Sequence, residues 1–321
     1  MIIRAELQAL RVDDHPQRQA QADLAGIMAA WRASRLGSGL ERSIEAYAQG
    51  EQLEHLPPFV RLFAPGDPAA RRLAGEFIGK FTGLLRANPW GQVPVPCKLD
   101  DTAATIVLAA AGNAALVLQA IDGDGLRSRP AALTVSFSPG ETHDHILNGT
   151  ATARHVELAE EDGNRADLVT APCELGPGSV TRRDGSRQSL LIDAVSSTLV
   201  ILRLQRRPAS GSISREFNLV DGKLAHQATA NPRESRFELA AALLGRMGRR
   251  NAAPLLAAMA EERGGQSLRW QALKESIGLD TAEGFAALTR IAGSATDELG
   301  APAAALRAQL VASYPELAEL H

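Results

Sequence analysis

From about residue 91 to residue 230 the chain alternates short β-type runs with pairs of turn residues, and this punctuation restricts the possible folds more than any other feature. Thr105 to Ala110 and Ala114 to Ile121 flank Gly112-Asn113, and Leu133 to Phe137 leads into Glu141 to Leu158. Leu168 to Cys173 follows Asp162-Gly163-Asn164, and Ser179 to Arg183 and Gln188 to Asp193 flank Asp184-Gly185. Thr198 to Leu204 comes next, and Arg215 to Val220 and Lys223 to Ala228 bracket Asp221-Gly222. Asn-Gly and Asp-Gly pairs favour chain reversal because they reach positive φ. About ten such runs with no helical period between them predict an antiparallel sandwich or barrel.

Helical periodicity flanks this region. Leu24, Ile27, Met28 and Trp31 recur at i, i+3, i+4 and i+7 in Gln19 to Leu36, with Gly37 expected to end that helix. A second helix is expected from Ser38 to about Gln49, carrying Leu40, Ile44 and Tyr47 and stopping at Gly50. Pro57, Pro58 and Pro65 argue against one regular element over His55 to Gly66. Asp67-Pro68 opens a helix that turns Leu73, Phe77, Phe81 and Leu84 to a core and is expected to end near Asn88-Pro89.

After the β-type runs, Ser235 is expected to cap a helix to about Met247, with helix to the end. Ala242, Leu243, Met247 and Gly248 recur as Ala272, Leu273, Ile277 and Gly278, and Leu256, Met259 and Ala260 recur as Leu288, Ile291 and Ala292. A helix pair repeating at this spacing resembles HEAT or armadillo-like repeats, which implies a surface offered to a protein partner; a plain helical bundle is the other reading. The expected architecture is α+β and multidomain. A helical region spans residues 1–90, an antiparallel β-domain 91–232, and a helical domain 233–321.

Composition excludes some functions. A formal charge of −3, with only short arginine clusters at Arg182-Arg183, Arg206-Arg207 and Arg249-Arg250, gives no basic face for nucleic acid. No apolar run approaches the roughly 18 residues of a membrane span, and the first residues lack a signal-peptide core, so a cytoplasmic protein is expected. Cys97 and Cys173 stand far apart, which predicts two reduced, packed thiols.

The concentrated chemistry lies in Glu141 to Leu158, ETHDHILNGTATARHVEL. Read as a hairpin about Asn148-Gly149, it sets His145 across from Thr152 and His143 across from Arg154. Side-chain alternation then places His143, His145, Leu147, Thr152 and Arg154 on one interior face, and Asp144, His155 and Glu157 on the other. His143 and His145 are roughly 6.8 Å apart along a strand, so both could lean onto one ion, whereas Glu141 lies about 13 Å from His145. Arg154 would put a permanent cation where a divalent metal would sit, and the grouping suits an anionic or polar ligand better.

His143, Asp144 and His145 with Gly149, followed by Gly176-Pro177-Gly178 and Asp184-Gly185 leading to Gln188, resemble the two motifs of the cupin, or double-stranded β-helix, family. The resemblance implies a jelly-roll sandwich and, in its metal-binding members, a ligand set of His-x-His, Glu and a second-motif His. Here Asn148, Gly149 and Thr150 stand where the carboxylate belongs, and Gln188 or Arg187 stands in place of the last His.

Two readings follow. The first is a non-catalytic binding or interaction protein without a cofactor, holding a small polar or anionic ligand at His143, His145, Thr152, Arg154 and Gln188 and a partner at its C-terminal helices. The second is a non-haem metal enzyme, an oxygenase or isomerase, in which His143 and His145 bind a divalent metal such as iron with a third ligand at His226 or Gln188.

Overall fold

Four helices precede the first strand: α1 (His15–Ala33), α2 (Arg35–Ala48), α3 (Pro57–Leu62) and α4 (Ala69–Ala87). The computed structural model describes residues 12–87, 90–208 and 212–319, so the expected stop at Asn88-Pro89 lies outside the described residues. α1 buries Ala20, Leu24, Met28 and Trp31, and α2 buries Leu40, Ile44 and Tyr47. The break between them falls at Ser34, three residues before the expected glycine stop. Ser34 leaves the helical region and its hydroxyl accepts from the Gly37 amide at 3.1 Å, capping α2. Gly37 therefore sits inside α2, where a Cβ would collide with the Trp31 carbonyl. The prolines at 57 and 58 occupy the first turn of α3, where a missing N–H is harmless. That is why a short helix forms in a segment expected to be irregular. Asp67 caps α4 through the Ala69 amide at 2.8 Å.

The strands follow as β1 (Cys97–Leu99), β2 (Ala103–Ala111), β3 (Ala114–Asp122), then a short helix α5 (Gly123–Arg127), β4 (Thr134–Phe137), β5 (Glu141–Asn148), β6 (Ala151–Asp162) and β7 (Arg165–Leu175). β8 (Val180–Asp184), β9 (Gln188–Val195), β10 (Thr198–Arg206), β11 (Ile213–Asn218) and β12 (Leu224–Thr229) complete them. Among the described residues the strands form three sheets, ordered β1-β2-β3-β10-β5-β8, β7-β6-β9 and β12-β11-β4. The chain divides into two units, residues 1–135, 140–207 and 219–222, and residues 136–139, 208–218 and 223–321.

In the first unit the central strands of the six-stranded sheet, β3, β10 and β5, are buried on both faces. One face carries Leu116, Leu118, Leu147, Leu202 and Leu204 against Trp31, Ile44, Tyr47, Phe59 and Phe77 of the helices. The other carries Ile121, Ile146, Leu199 and Ile201 against Ala151, Ala153, Leu175 and Val195 of the second sheet. Double burial explains why β10 reads as a nearly continuous apolar run rather than an alternating one. Cys173 packs against this second core, while Cys97 is exposed on β1, so the expectation of two packed thiols holds for only one of them.

In the second unit, α6 (Pro232–Arg246), α7 (Ala253–Glu261), α8 (Gln266–Leu279), α9 (Thr281–Ala292) and α10 (Gly300–Ser313) surround Leu256, Leu273, Phe285, Leu288 and Ile291. α6 starts earlier than expected, because Asn231 rather than Ser235 is its cap, its side chain accepting from the Arg233 amide at 2.9 Å. Leu256 and Leu288 are both buried, but Leu243 is 56% exposed where its counterpart Leu273 is fully covered. The sequence repeat therefore does not place its first copy in an equivalent environment. Among the described residues no helix is long and apolar enough to cross a membrane.

Candidate functional site

β5 lies between β10 and β8, with His143 opposite Leu204 and Arg182, Asp144 opposite Arg203 and Thr181, and His145 opposite Leu202 and Val180. It does not pair with β6, which pairs instead with β7 and β9 in the other sheet. The expected hairpin at Asn148-Gly149 is thus a corner at which the chain leaves one sheet for the other. Only Gly149 has positive φ, at 81°, and a Cβ there would strike the Thr198 carbonyl. A type I′ turn needs positive φ at both central residues, which Asn148 does not have.

Alternation on β5 puts Glu141, His143, His145 and Leu147 on the helix-covered face and Thr142, Asp144 and Ile146 on the face shared with the second sheet. The two histidines therefore do not point into the sandwich. His145 is buried and its Nδ1 donates to the Leu62 carbonyl at 2.6 Å, tying β5 to the end of α3. The ring of His143 lies 5.9 Å from that of Phe63, and its Nε2 lies 3.0 Å from Glu141 Oε1 but off the line of a hydrogen bond.

Glu141 is the hub of this layer. Its Oε1 is 2.7 Å from Arg182 Nη2, while Oε2 accepts from the Tyr47 hydroxyl and from Arg206 Nη2, both at 3.1 Å. Arg206 also stacks over the Tyr47 ring at 4.2 Å and donates to the Tyr47 and Glu51 carbonyls at 2.8 and 2.9 Å. Burial pulls His143 below the ordinary imidazole range, against the opposing pull of Glu141. Burial alone would raise Glu141, but His143, Arg182 and the Tyr47 hydrogen bond outweigh it and hold the carboxyl below its usual range. Of those charges the guanidinium is the permanent one. Burial and the Glu141 charge push the Tyr47 hydroxyl well up.

The inner face holds a different cluster. Asp144, 1% exposed, takes Arg203 Nε and Nη2 at 2.6 and 2.9 Å, and Arg183 Nη2 at 2.6 Å. Arg183 Nη1 donates to Thr181 at 3.2 Å. Burial would push Asp144 up, yet the two guanidiniums overcome it and hold it ionised, below the ordinary carboxylate range. Burial likewise opposes the Arg203 charge, and Asp144 more than restores it. One carboxylate between two guanidiniums leaves a net positive charge. Thr142 and Gln205, paired across β5 and β10, share this face.

The other expected site residues fall elsewhere. Thr152 and Arg154 are on β6, in the second sheet; Arg154 forms a bidentate pair with Asp193 at 2.8 to 3.1 Å and does not face His143. Ala151 and Ala153 are buried in the sandwich core and Thr152 is exposed, the reverse of the hairpin reading at that end of β6, whereas Val156 and Leu158, which share the parity of Thr152 and Arg154, are buried further along the strand. Gln188 opens β9, where its Oε1 accepts from the Asp184 amide at 3.2 Å. His226 lies on β12 opposite Glu216, in the second unit. The donor set at His143 and His145 does not fit a metal. His145 Nδ1 is committed to a carbonyl, Arg182 sits on the one adjacent carboxylate, and among the described residues no three His, Cys, Asp or Glu side chains converge. Arg183 and Arg203 are the residues that sequence reasoning missed. The available signal was an arginine inside the apolar run Leu199 to Leu204.

No protein-family model matches the chain, and no curated protein matches it. Solved structures similar to part of it include a putative mannose-6-phosphate isomerase from Ralstonia eutropha, at 14% identity over 36% of this chain and 93% of that one, with a TM-score of 0.25. Another is oxalate decarboxylase of Lactobacillus farciminis in a formate complex, at 13% identity, 41% and 38% coverage, and a TM-score of 0.27. A third is a cupin superfamily protein from Desulfitobacterium hafniense, at 12% identity, 35% and 83% coverage, and a TM-score of 0.23. Likeness at this level names no reaction for this chain.

Proposed function

We propose that this chain is a non-catalytic binding protein built on a cupin-like sandwich, whose inner face takes a small anion at Arg183 and Arg203. The observation that carries this reading is the charge imbalance around Asp144: two guanidiniums, one of them with 8% and the other with 25% of its side-chain surface exposed, share a single carboxylate. A buried charge without a full complement is unfavourable, and guanidinium is the side chain best shaped for carboxylate or phosphate. An anion that binds only the folded chain stabilises it by mass action. Helices α6 to α10 are assigned to a protein partner. In support, Leu239, Leu243 and Met247 recur at intervals of four and are 73, 56 and 54% exposed. The reading of His143 and His145 as metal ligands of an enzyme gains no support from their helix-covered surroundings, where His145 Nδ1 is held by the Leu62 carbonyl and Arg182 pairs with Glu141.

The test is thermal unfolding of the wild type and of Asp144→Asn across a series of inorganic phosphate concentrations at constant ionic strength. Removing the carboxylate leaves two guanidiniums uncompensated, so phosphate is expected to raise the variant's Tm more steeply than the wild type's. Equal, or equally absent, phosphate dependence in the two proteins would overturn the anion site.

A further inference from the structure

An open cavity of about 330 Å³ in the second unit is lined by Gln266, Ser267, Trp270, Gln271 and Lys274 of α8, with Ile213, Gln227, Leu299 and Pro302 around it. The α8 positions fall at i, i+1, i+4, i+5 and i+8, one continuous stripe of that helix. Trp270 is half-buried against the helical core, so its ring is anchored before any ligand arrives. The hydrogen-bonding groups around it are polarised in a specific way. Gln266 Nε2 donates to Glu298 at 2.9 Å and Gln271 Nε2 donates to Glu275 at 2.6 Å. An ionised carboxylate only accepts, so both amides are turned with their nitrogens toward the acids, which leaves their carbonyl oxygens as free acceptors. Among the described residues no hydrogen bond or ion pair engages the Trp270 indole N–H, the Lys274 ammonium, the Ser267 hydroxyl or the Gln227 amide.

We infer that this cavity is a binding site for a neutral carbohydrate ring. Uncommitted donors and uncommitted acceptors line the same cavity as one anchored indole, which matches a ring whose hydroxyls both donate and accept and whose C–H face is apolar. An anion would find Lys274 but also two glutamates immediately behind the amides. A cation would find those glutamates but also Lys274. A neutral polyol meets neither conflict. The inference is independent of the anion site in the sandwich.

The test uses the full chain with methyl glucoside, methyl galactoside and methyl mannoside as probes, read by saturation-transfer NMR and by tryptophan fluorescence. At least one glycoside is expected to bind saturably. Trp270→Ala is expected to weaken that binding at least tenfold, provided its unfolding curve matches the wild type. Gln271→Leu and Lys274→Met, on the helix surface, keep the test valid if the tryptophan variant misfolds, and each is expected to weaken binding severalfold. Saturable binding of none of the three glycosides, unchanged binding in both surface variants, or a tenfold preference for a phosphorylated sugar or for tetramethylammonium would overturn the inference.

Discussion

Asp144 and His145 are neighbours on one strand, both nearly without solvent exposure, and they are buried in opposite directions: Asp144 against Arg183 and Arg203, His145 against the Leu62 carbonyl. One strand thus supplies a charged centre to the inside of the sandwich and a fastening for the helices outside it.

Breaking the inner cluster from one side strands a buried charge, which costs about 3 to 5 kcal/mol. Asp144→Ala is expected to lose that much in urea unfolding, whereas Arg203→Met, which leaves Asp144 paired with Arg183, is expected to lose less. Arg154→Ala removes a pair whose side chains are 32 and 37% exposed, so its expected loss is below about 1 kcal/mol. Similar losses in Asp144→Ala and Arg154→Ala would contradict the assignment of inside and outside.

Acid is expected to weaken the protein in two stages. Burial holds the folded pKa of His143 below the ordinary imidazole value of 6.5, so the unfolded chain takes up its proton first and stability falls as pH drops from 6.5 toward the folded pKa. Glu141 and Asp144 are depressed below 4.5 and 3.8, so their stabilisation, complete above those values, is lost as pH falls through their folded pKa values. Tm measured against pH should therefore decline below about 6.5, the reference imidazole value, and His143→Gln should flatten that first decline. A variant with the same slope as the wild type would place the titration on another group.

Removing the imidazole in His145→Ala orphans the buried Leu62 carbonyl and opens a void. A buried polar group left without its partner costs about 1 to 3 kcal/mol. Hydrogen exchange should show faster opening of α3 in this variant, with β6 and β7 unchanged. Faster exchange spread over the second sheet instead would argue that His145 faces inward.

Gly149→Ala forces a positive φ on alanine and meets the Thr198 carbonyl. Strain at such a position is about 1 to 3 kcal/mol before any clash. Gly163→Ala also has positive φ but open space around it, so it is expected to be the milder of the two.

Much of the fold was legible because turn chemistry is local. The pairs at Gly112-Asn113, Asp162-Gly163 and Asp221-Gly222 each join strands that do pair, β2 with β3, β6 with β7 and β11 with β12. Asn148-Gly149 looks the same in sequence, but it joins β5 to β6, and the partners of β5 are β8 and β10, about 35 to 60 residues away along the chain, with no local mark of that pairing. The parity of His143, His145 and Leu147 was readable. Which side they faced was not, because apolar residues line both faces of β5: Ile146 and Leu147 are adjacent and both buried. Two adjacent buried apolar residues, and the run in β10, were the sign that helices cover the outer face.

The most direct measurement is calorimetric titration of inorganic phosphate into the wild type and into Arg203→Gln, with circular dichroism confirming that both are folded. A saturable one-site heat in the wild type, absent or at least tenfold weaker in the variant, is the expected result. No heat in the wild type, or identical binding in the two, would contradict an anion site at Arg203.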